Sequence, residues 1–193
     1  NQTTPAANTS EFSAAVQVWS PGTAAARQTA PSKPAAPKTA LSSVVTVHTY
    51  VVTTAADSGD GSLRAAIAAA DAVKTAGTIT FNIPGSGVQT IALLSALPAV
   101  TAPLTIDATT QPGYSGTPLI ALDGSSAGSV VSALTFSDTS GAVRALDIES
   151  FSGDGIVLQR SGLTVTGCYI GVDPTGSLPR GNGENGILMA DIA

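Results

Sequence analysis

From residue 78 to residue 189 the chain is a succession of short aliphatic and β-branched runs with no helical pattern between them. The runs fall at 78–83, 89–94, 104–108, 119–123, 133–136, 143–148, 155–158, 163–172 and 186–189. Clusters such as Pro84-Gly85-Ser86-Gly87, Gln111-Pro112-Gly113 and Gly181-Asn182-Gly183 separate them. Runs of this length bounded by Gly, Pro and Asn predict β-strands, and a regular series of them leaves a sandwich, a barrel or a solenoid. No two-residue Asn-Gly turn joins matched alternating strands, so hairpins are not signalled. Similar units recur instead. Leu104-Thr105-Ile106-Asp107 is echoed by Leu163-Thr164-Val165-Thr166, and Gly155-Ile156-Val157-Leu158 by Gly186-Ile187-Leu188-Met189. Recurrence at roughly 20–30 residues is the spacing of one coil of a parallel β-solenoid. The expected fold is therefore all-β and solenoidal.

Composition fits a narrow, repetitive interior. Charged residues make up 11% of the chain, against about 25% in an average globular protein. Aromatics are only 4%, so the core must be assembled from many small aliphatic side chains. The net charge of -5 divides unevenly. Residues 1–44 hold Arg27, Lys33 and Lys38 against Glu11 and are weakly basic, leaving an acidic body. An acidic body argues against nucleic acid and anionic lipid as partners. No apolar run reaches the ~18 residues that a spanning helix needs, so no membrane insertion is expected. Cys168 stands alone, which rules out an internal disulfide and a cysteine-based metal site. A chain beginning at Asn1 without a basic-plus-apolar leader fits a mature secreted form or simply a trimmed chain.

Two segments precede the strand series. Residues 1–44, rich in Ala, Pro, Ser and Thr, read as an extended tail or linker with a polyproline II bias near Pro31–Pro37. Within it Phe12, Val16, Val18 and Trp19 form an apolar island, a candidate subunit contact by docking on a neighbour. The body, 45–193, opens with a β-branched run at 44–54 that ends in Asp57-Ser58-Gly59-Asp60-Gly61. A capping helix is predicted at about 62–75. Leu63, Ala66, Ile67, Ala70 and Val73 form one stripe, Ser62 is the N-cap and Gly77 the stop. One amphipathic helix ahead of a strand series is placed to cover an open sheet end.

The run Asp57-Ser58-Gly59-Asp60-Gly61-Ser62-Leu63-Arg64 with its Ala-rich helix resembles the start of large bacterial secreted or surface right-handed parallel β-helix repeat proteins. So do Thr78-Ile79-Thr80-Phe81-Asn82-Ile83-Pro84-Gly85 and the stretch from Leu104-Thr105-Ile106-Asp107 to Gln111-Pro112-Gly113-Tyr114. Gly167-Cys168-Tyr169-Ile170-Gly171-Val172-Asp173-Pro174-Thr175-Gly176 completes the series. The resemblance implies an N-terminal cap followed by the first coils of a right-handed parallel β-helix, in an extracellular or cell-surface location. It brings no catalytic signature. Cys168 stands where the family usually has Asn, so an interior asparagine ladder is not expected there.

Few residues carry chemistry. Parallel β-helices often host enzymes that cleave glycans, which need carboxylates converging in a groove. Asp147 and Glu149 alternate onto one strand face with Arg144 nearby, and Asp123 or Asp173 belong to adjacent coils. These are carbohydrate-site candidates, although a solvated strand face is the plainer reading. His48 has no partner in sequence and reads as structural. Asp57–Ser62 reads as turn chemistry, since it lacks calcium-loop spacing, and Cys168 as a small buried hydrophobe. No cofactor or metal motif is present. The favoured expectation is a structural or adhesive surface protein that self-associates end to end into a filament or layer, its tail docking on a neighbour. The alternative is a β-helix that binds surface glycans or degrades polysaccharide through a site outside this segment.

Overall fold

The fold is mostly β, with parallel sheets and one α-helix. The computed structural model describes residues 47–137, 139–159 and 162–190. The tail, with Phe12, Val16, Val18 and Trp19, lies outside the described residues. Strands β1 (His48–Val52), β2 (Gly77–Phe81), β4 (Leu104–Asp107), β7 (Ser140–Arg144) and β10 (Gly162–Thr166) form a first sheet in that order. A second sheet runs β3 (Gln89–Ala92), β5 (Ile120–Asp123), β8 (Leu146–Glu149), β11 (Tyr169–Ile170). A third runs β6 (Leu134–Ser137), β9 (Ile156–Gln159), β12 (Ile187–Ala190), with Val100 bridged in parallel to Phe136. From β4 onward the chain visits the first, second and third sheets in strict rotation. Parallel pairing requires a long crossover between partners; from β4 onward the crossover from each strand to its partner is made of strands of the other two sheets, whereas β1 and β2 are joined through the helix Leu63–Val73.

Registers align like with like. Ile79, Ile106 and Val143 are successive partners in the first sheet, and Ile91, Leu122 and Ile148 in the second. In the third, Leu134 faces Ile156 and Phe136 faces Leu158. All of these are buried, most of them completely. Burial then fades along the stacks. Val165 and Ile170 continue two of the rows only half-buried, and Ile187 and Met189 continue the third sheet's rows at 42% and 58% exposure. Among the described residues no strand pairs with the free edges of β10, β11 and β12.

Two predicted strands prove to be pairs. The run at 143–148 breaks at Ala145, whose φ of 54° turns the chain from β7 into β8. The run at 163–172 breaks at Gly167 (φ 64°) and Cys168, between β10 and β11. The two breaks are joined by a bond from the Ala145 N–H to the Thr166 carbonyl (3.0 Å), so they mark one edge of the stack. Glycine announces the second corner. Nothing in the sequence announces the first, because alanine rarely takes this conformation.

Helix α1 (Leu63–Val73) packs on β1 and β2 and buries Leu63, Ala66, Ile67 and Ala70. Ser62 caps it as expected, accepting from the Ala65 N–H at 3.2 Å. Two details differ from expectation. Val73 lies off the buried stripe at 46% exposure, and the helix ends at Lys74 (φ 54°) rather than at Gly77. Gly77 instead opens β2, where a Cβ would come within 3.1 Å of the Tyr50 ring and 3.3 Å of Leu104. Polar ties hold α1 across the end of the stack. Arg64 donates to the Asp57 carboxylate (2.6 Å) and to the Ser95 and Ala96 carbonyls. The Asp71 carboxylate accepts from the Thr101 (2.8 Å) and Ala102 (2.9 Å) N–H groups.

Candidate functional site

A group of titratable side chains, Asp147 and Glu149 among them, gathers on the outer side of the second sheet. Leu146 and Ile148 of β8 point into the core, so Asp147 and Glu149 point away from it. In register, Asp147 sits between Ala121 of β5 and Tyr169 of β11, while Glu149 faces Asp123. A hairpin spanning residues 171–180 rises beside them. Val172 pairs antiparallel with Pro179, the Asp173 N–H donates to the Leu178 carbonyl, and the Arg180 N–H to the Gly171 carbonyl, each at 2.9 Å. The Asp173 carboxylate accepts from the Thr175 hydroxyl (2.8 and 2.9 Å) and from the N–H groups of Ser177 and Leu178 (both 2.9 Å). The hairpin base is fastened to β8 by Gly171 N–H to the Ile148 carbonyl (2.9 Å) and Ser150 N–H to the Arg180 carbonyl (3.1 Å).

The two carboxylates of β8 are not on a solvated face, contrary to the plainer sequence reading. Asp147 is fully buried, at 0% exposure, and neither of its oxygens has a hydrogen-bond partner. Burial, reinforced by the charges of Glu149 and Asp173, pushes its carboxyl up to about 7. Glu149 is also raised, by burial first; Arg180, 4.0 Å away, opposes that shift, and Asp123 and Asp173 add to it. Asp173 is held below its usual range, chiefly by the Leu178 N–H. Nothing in the sequence signals this burial, because alternation along a strand says which face a side chain takes and not what lies over it.

Of the predicted candidates, Asp147 and Glu149 are together and Arg144 is apart. The turn at Ala145 puts Arg144 on the first sheet, 3.6 Å from Asp107. Arg180, reached only through the hairpin, is the cation that stands by Glu149. Two unequal carboxyls side by side are the pattern of an acid–base pair, but a polymer cannot touch a fully buried Asp147. Aromatic platforms for sugar are missing among the described residues. Phe81, Phe136 and Phe151 lie in the core, Tyr50 and Tyr114 pack against it, and Tyr169 stands half-buried beside Gly176. No group of three or more His, Cys, Asp or Glu among the described residues is arranged to hold a metal ion. No protein-family model matches the chain, and no curated protein matches it.

The remaining singled-out groups have structural partners. His48 Nδ1 lies 3.0 Å from the Thr75 hydroxyl, and its ring stacks on Tyr50. Burial alone would raise Asp57, but Arg64 and the Leu94 N–H hold it below the usual range. Cys168 is half-buried against the core, its thiol 3.6 Å from the Val143 carbonyl, and burial raises its pKa.

Proposed function

We propose that the three sheets are the faces of a right-handed parallel β-helix and that the protein is an extracellular structural or adhesive component that assembles head to tail. The rotation of the chain through the sheets and the handedness rule for parallel crossovers support the solenoid. The observation that carries the assembly is the asymmetry of the two ends. Helix α1 lies across one of them. Toward the other, among the described residues, the edges of β10, β11 and β12 have no strand partner, and Ile187 and Met189 are exposed beside them. A capped end cannot receive a strand edge face to face, so the joint calls for a strand from elsewhere. The tail island supplies one in sequence: Phe12, Ala14, Val16 and Val18 alternate with Ser13, Ala15, Gln17 and Trp19. Added to the open edge of a second copy, it would place its apolar row over Ile187 and Met189.

Electron microscopy of the full chain beside a version lacking residues 1–44 tests this reading. Filaments or layers that vanish with the tail, and vanish equally in Met189→Asp, are the expected outcome. Dispersed particles in every sample would overturn it. The glycan alternative is supported by fold analogy alone.

A further inference from the structure

We infer that the hairpin at residues 172–179 is a proton-operated flap, seated over the second sheet while Asp147 is protonated and released when that carboxyl ionises. The inference is independent of the assembly reading. Its starting point is a fully buried carboxyl with both oxygens unpartnered. An ionised carboxylate in that position lacks both water and a hydrogen-bond donor, which is among the costliest states a side chain can occupy.

Burial and the surrounding carboxylates push the Asp147 carboxyl up and outweigh the Ile148 N–H, which works to lower it. Glu149 follows two residues along the same strand, Asp123 faces Glu149 from β5, and Asp173 stands on the hairpin. Tyr169 of β11 is the register partner of Asp147. Arg180 is the nearby cation, and it is taken up by Glu149 at 4.0 Å. Ionisation thus adds one more negative charge to a group of carboxylates already short of positive charge, and water must enter to solvate it. The raised pKa of Asp147 agrees with this geometry.

The hairpin is built to move as a unit. Its own bonds, from the Val172–Pro179 bridge to the Asp173 carboxylate on Ser177 and Leu178, do not involve the second sheet. Its seat is slight: the Tyr169 ring lies against Gly176, where a Cβ would come within 3.2 Å. Glycines stand at both ends, Gly171 at φ 80° and Gly181 with open space about its α-carbon. Beyond Gly181 the chain is tied down again, by Asn182 to the Phe151 N–H (3.1 Å) and Gly183 N–H to the Phe151 carbonyl (2.7 Å). With the base held to β8 at Gly171 and Arg180, the lobe of residues 172–179 is the part free to lift, and its lifting would uncover Asp147 and Tyr169.

Amide hydrogen exchange of the full chain between pH 5 and pH 9, corrected for intrinsic rates, tests the flap. Protection of residues 172–179 is expected to fall by up to about tenfold per pH unit as pH rises toward ~7, the slope of one released proton, and to level off above it, where Asp147 is ionised in both the seated and the released state. Strands β4 to β9 keep theirs. Asp147→Asn should make protection of the lobe independent of pH, and Glu149→Gln should move the fall to lower pH, because the Glu149 charge helps to raise the Asp147 carboxyl. A lobe equally protected across the range in the unmodified chain would overturn the flap, as would a pH dependence that survives Asp147→Asn. If Asp147→Asn does not fold, the Glu149→Gln displacement decides alone: a fall at unchanged pH overturns the proposal.

Discussion

Asp147 shows at the scale of one residue how a fold can hold a group against its chemistry. Burial holds its carboxyl up at about 7, against 3.8 for a free aspartate. A group raised in this way contributes stability that is complete below pH ~4 and is lost as pH rises through about 7. At ~1.4 kcal/mol per unit the shift corresponds to about 4 kcal/mol. Chemical denaturation at pH 5 and pH 8 should therefore show a less stable protein at the higher pH. Asp147→Asn should remove most of that difference and gain on the order of 1–3 kcal/mol at pH 8, short of the full shift because the amide also lacks partners. Val130 is a second strained residue, a β-branched side chain at φ 57° that is 81% exposed. Its substitution by Gly or Asn loses no packing and should stabilise by about 1 kcal/mol, raising Tm by a few degrees.

Elements in this protein are held by backbone proximity and by polar ties rather than by large rings. Gly141 of β7 faces Leu104 of β4, where a Cβ would fall 1.9 Å from the Leu104 carbonyl oxygen. Gly141→Ala must push two central strands of the first sheet apart, and a loss of about 3 kcal/mol or more is expected in denaturant titration. Gln111 acts as a spare piece of strand. Its buried amide accepts from the Ile83 N–H (3.0 Å) and donates to the Ile83 carbonyl (2.8 Å), replacing a missing ladder pair. Helix α1 depends on Arg64, whose side chain joins Asp57 to the Ser95 and Ala96 carbonyls. Arg64→Ala should cost about 2–3 kcal/mol, since it strips charge-assisted bonds from Asp57 and leaves the Ser95 and Ala96 carbonyls without their donor. Exchange of the helix amides should rise in that variant before those of β5 or β8.

At the scale of the whole molecule, the in-register rows make each layer the floor of the next. Completely buried positions such as Ile106, Val143, Leu122 and Ile148 lie in the middle layers, while the equivalents in the last layer are half-exposed. Stability in such a stack is approximately a sum of layer and neighbour terms. The layer of β10 to β12 should open first, and exchange should be fastest there and slowest in β4 to β9. Covering the exposed end would reverse that order locally. Exchange of β12 in assembled material is thus expected to slow relative to the chain lacking residues 1–44.

What the sequence determined by itself was the material and the rhythm: β-branched runs, turn clusters, one capped amphipathic helix and a spacing that repeats. These are local preferences of short segments, and β2 to β6, β9, β12 and the Ser62 cap lie close to where those preferences put them. The corner at Ala145 was not legible, because no local preference favours a left-handed alanine; the layers above and below impose it. That one turn separated Arg144 from Asp147 and Glu149 and dissolved the constellation that linear alternation suggested. The burial of Asp147 was equally beyond the sequence. A strand's alternation says which face a side chain takes, whereas what lies over that face is decided only by the tertiary fold.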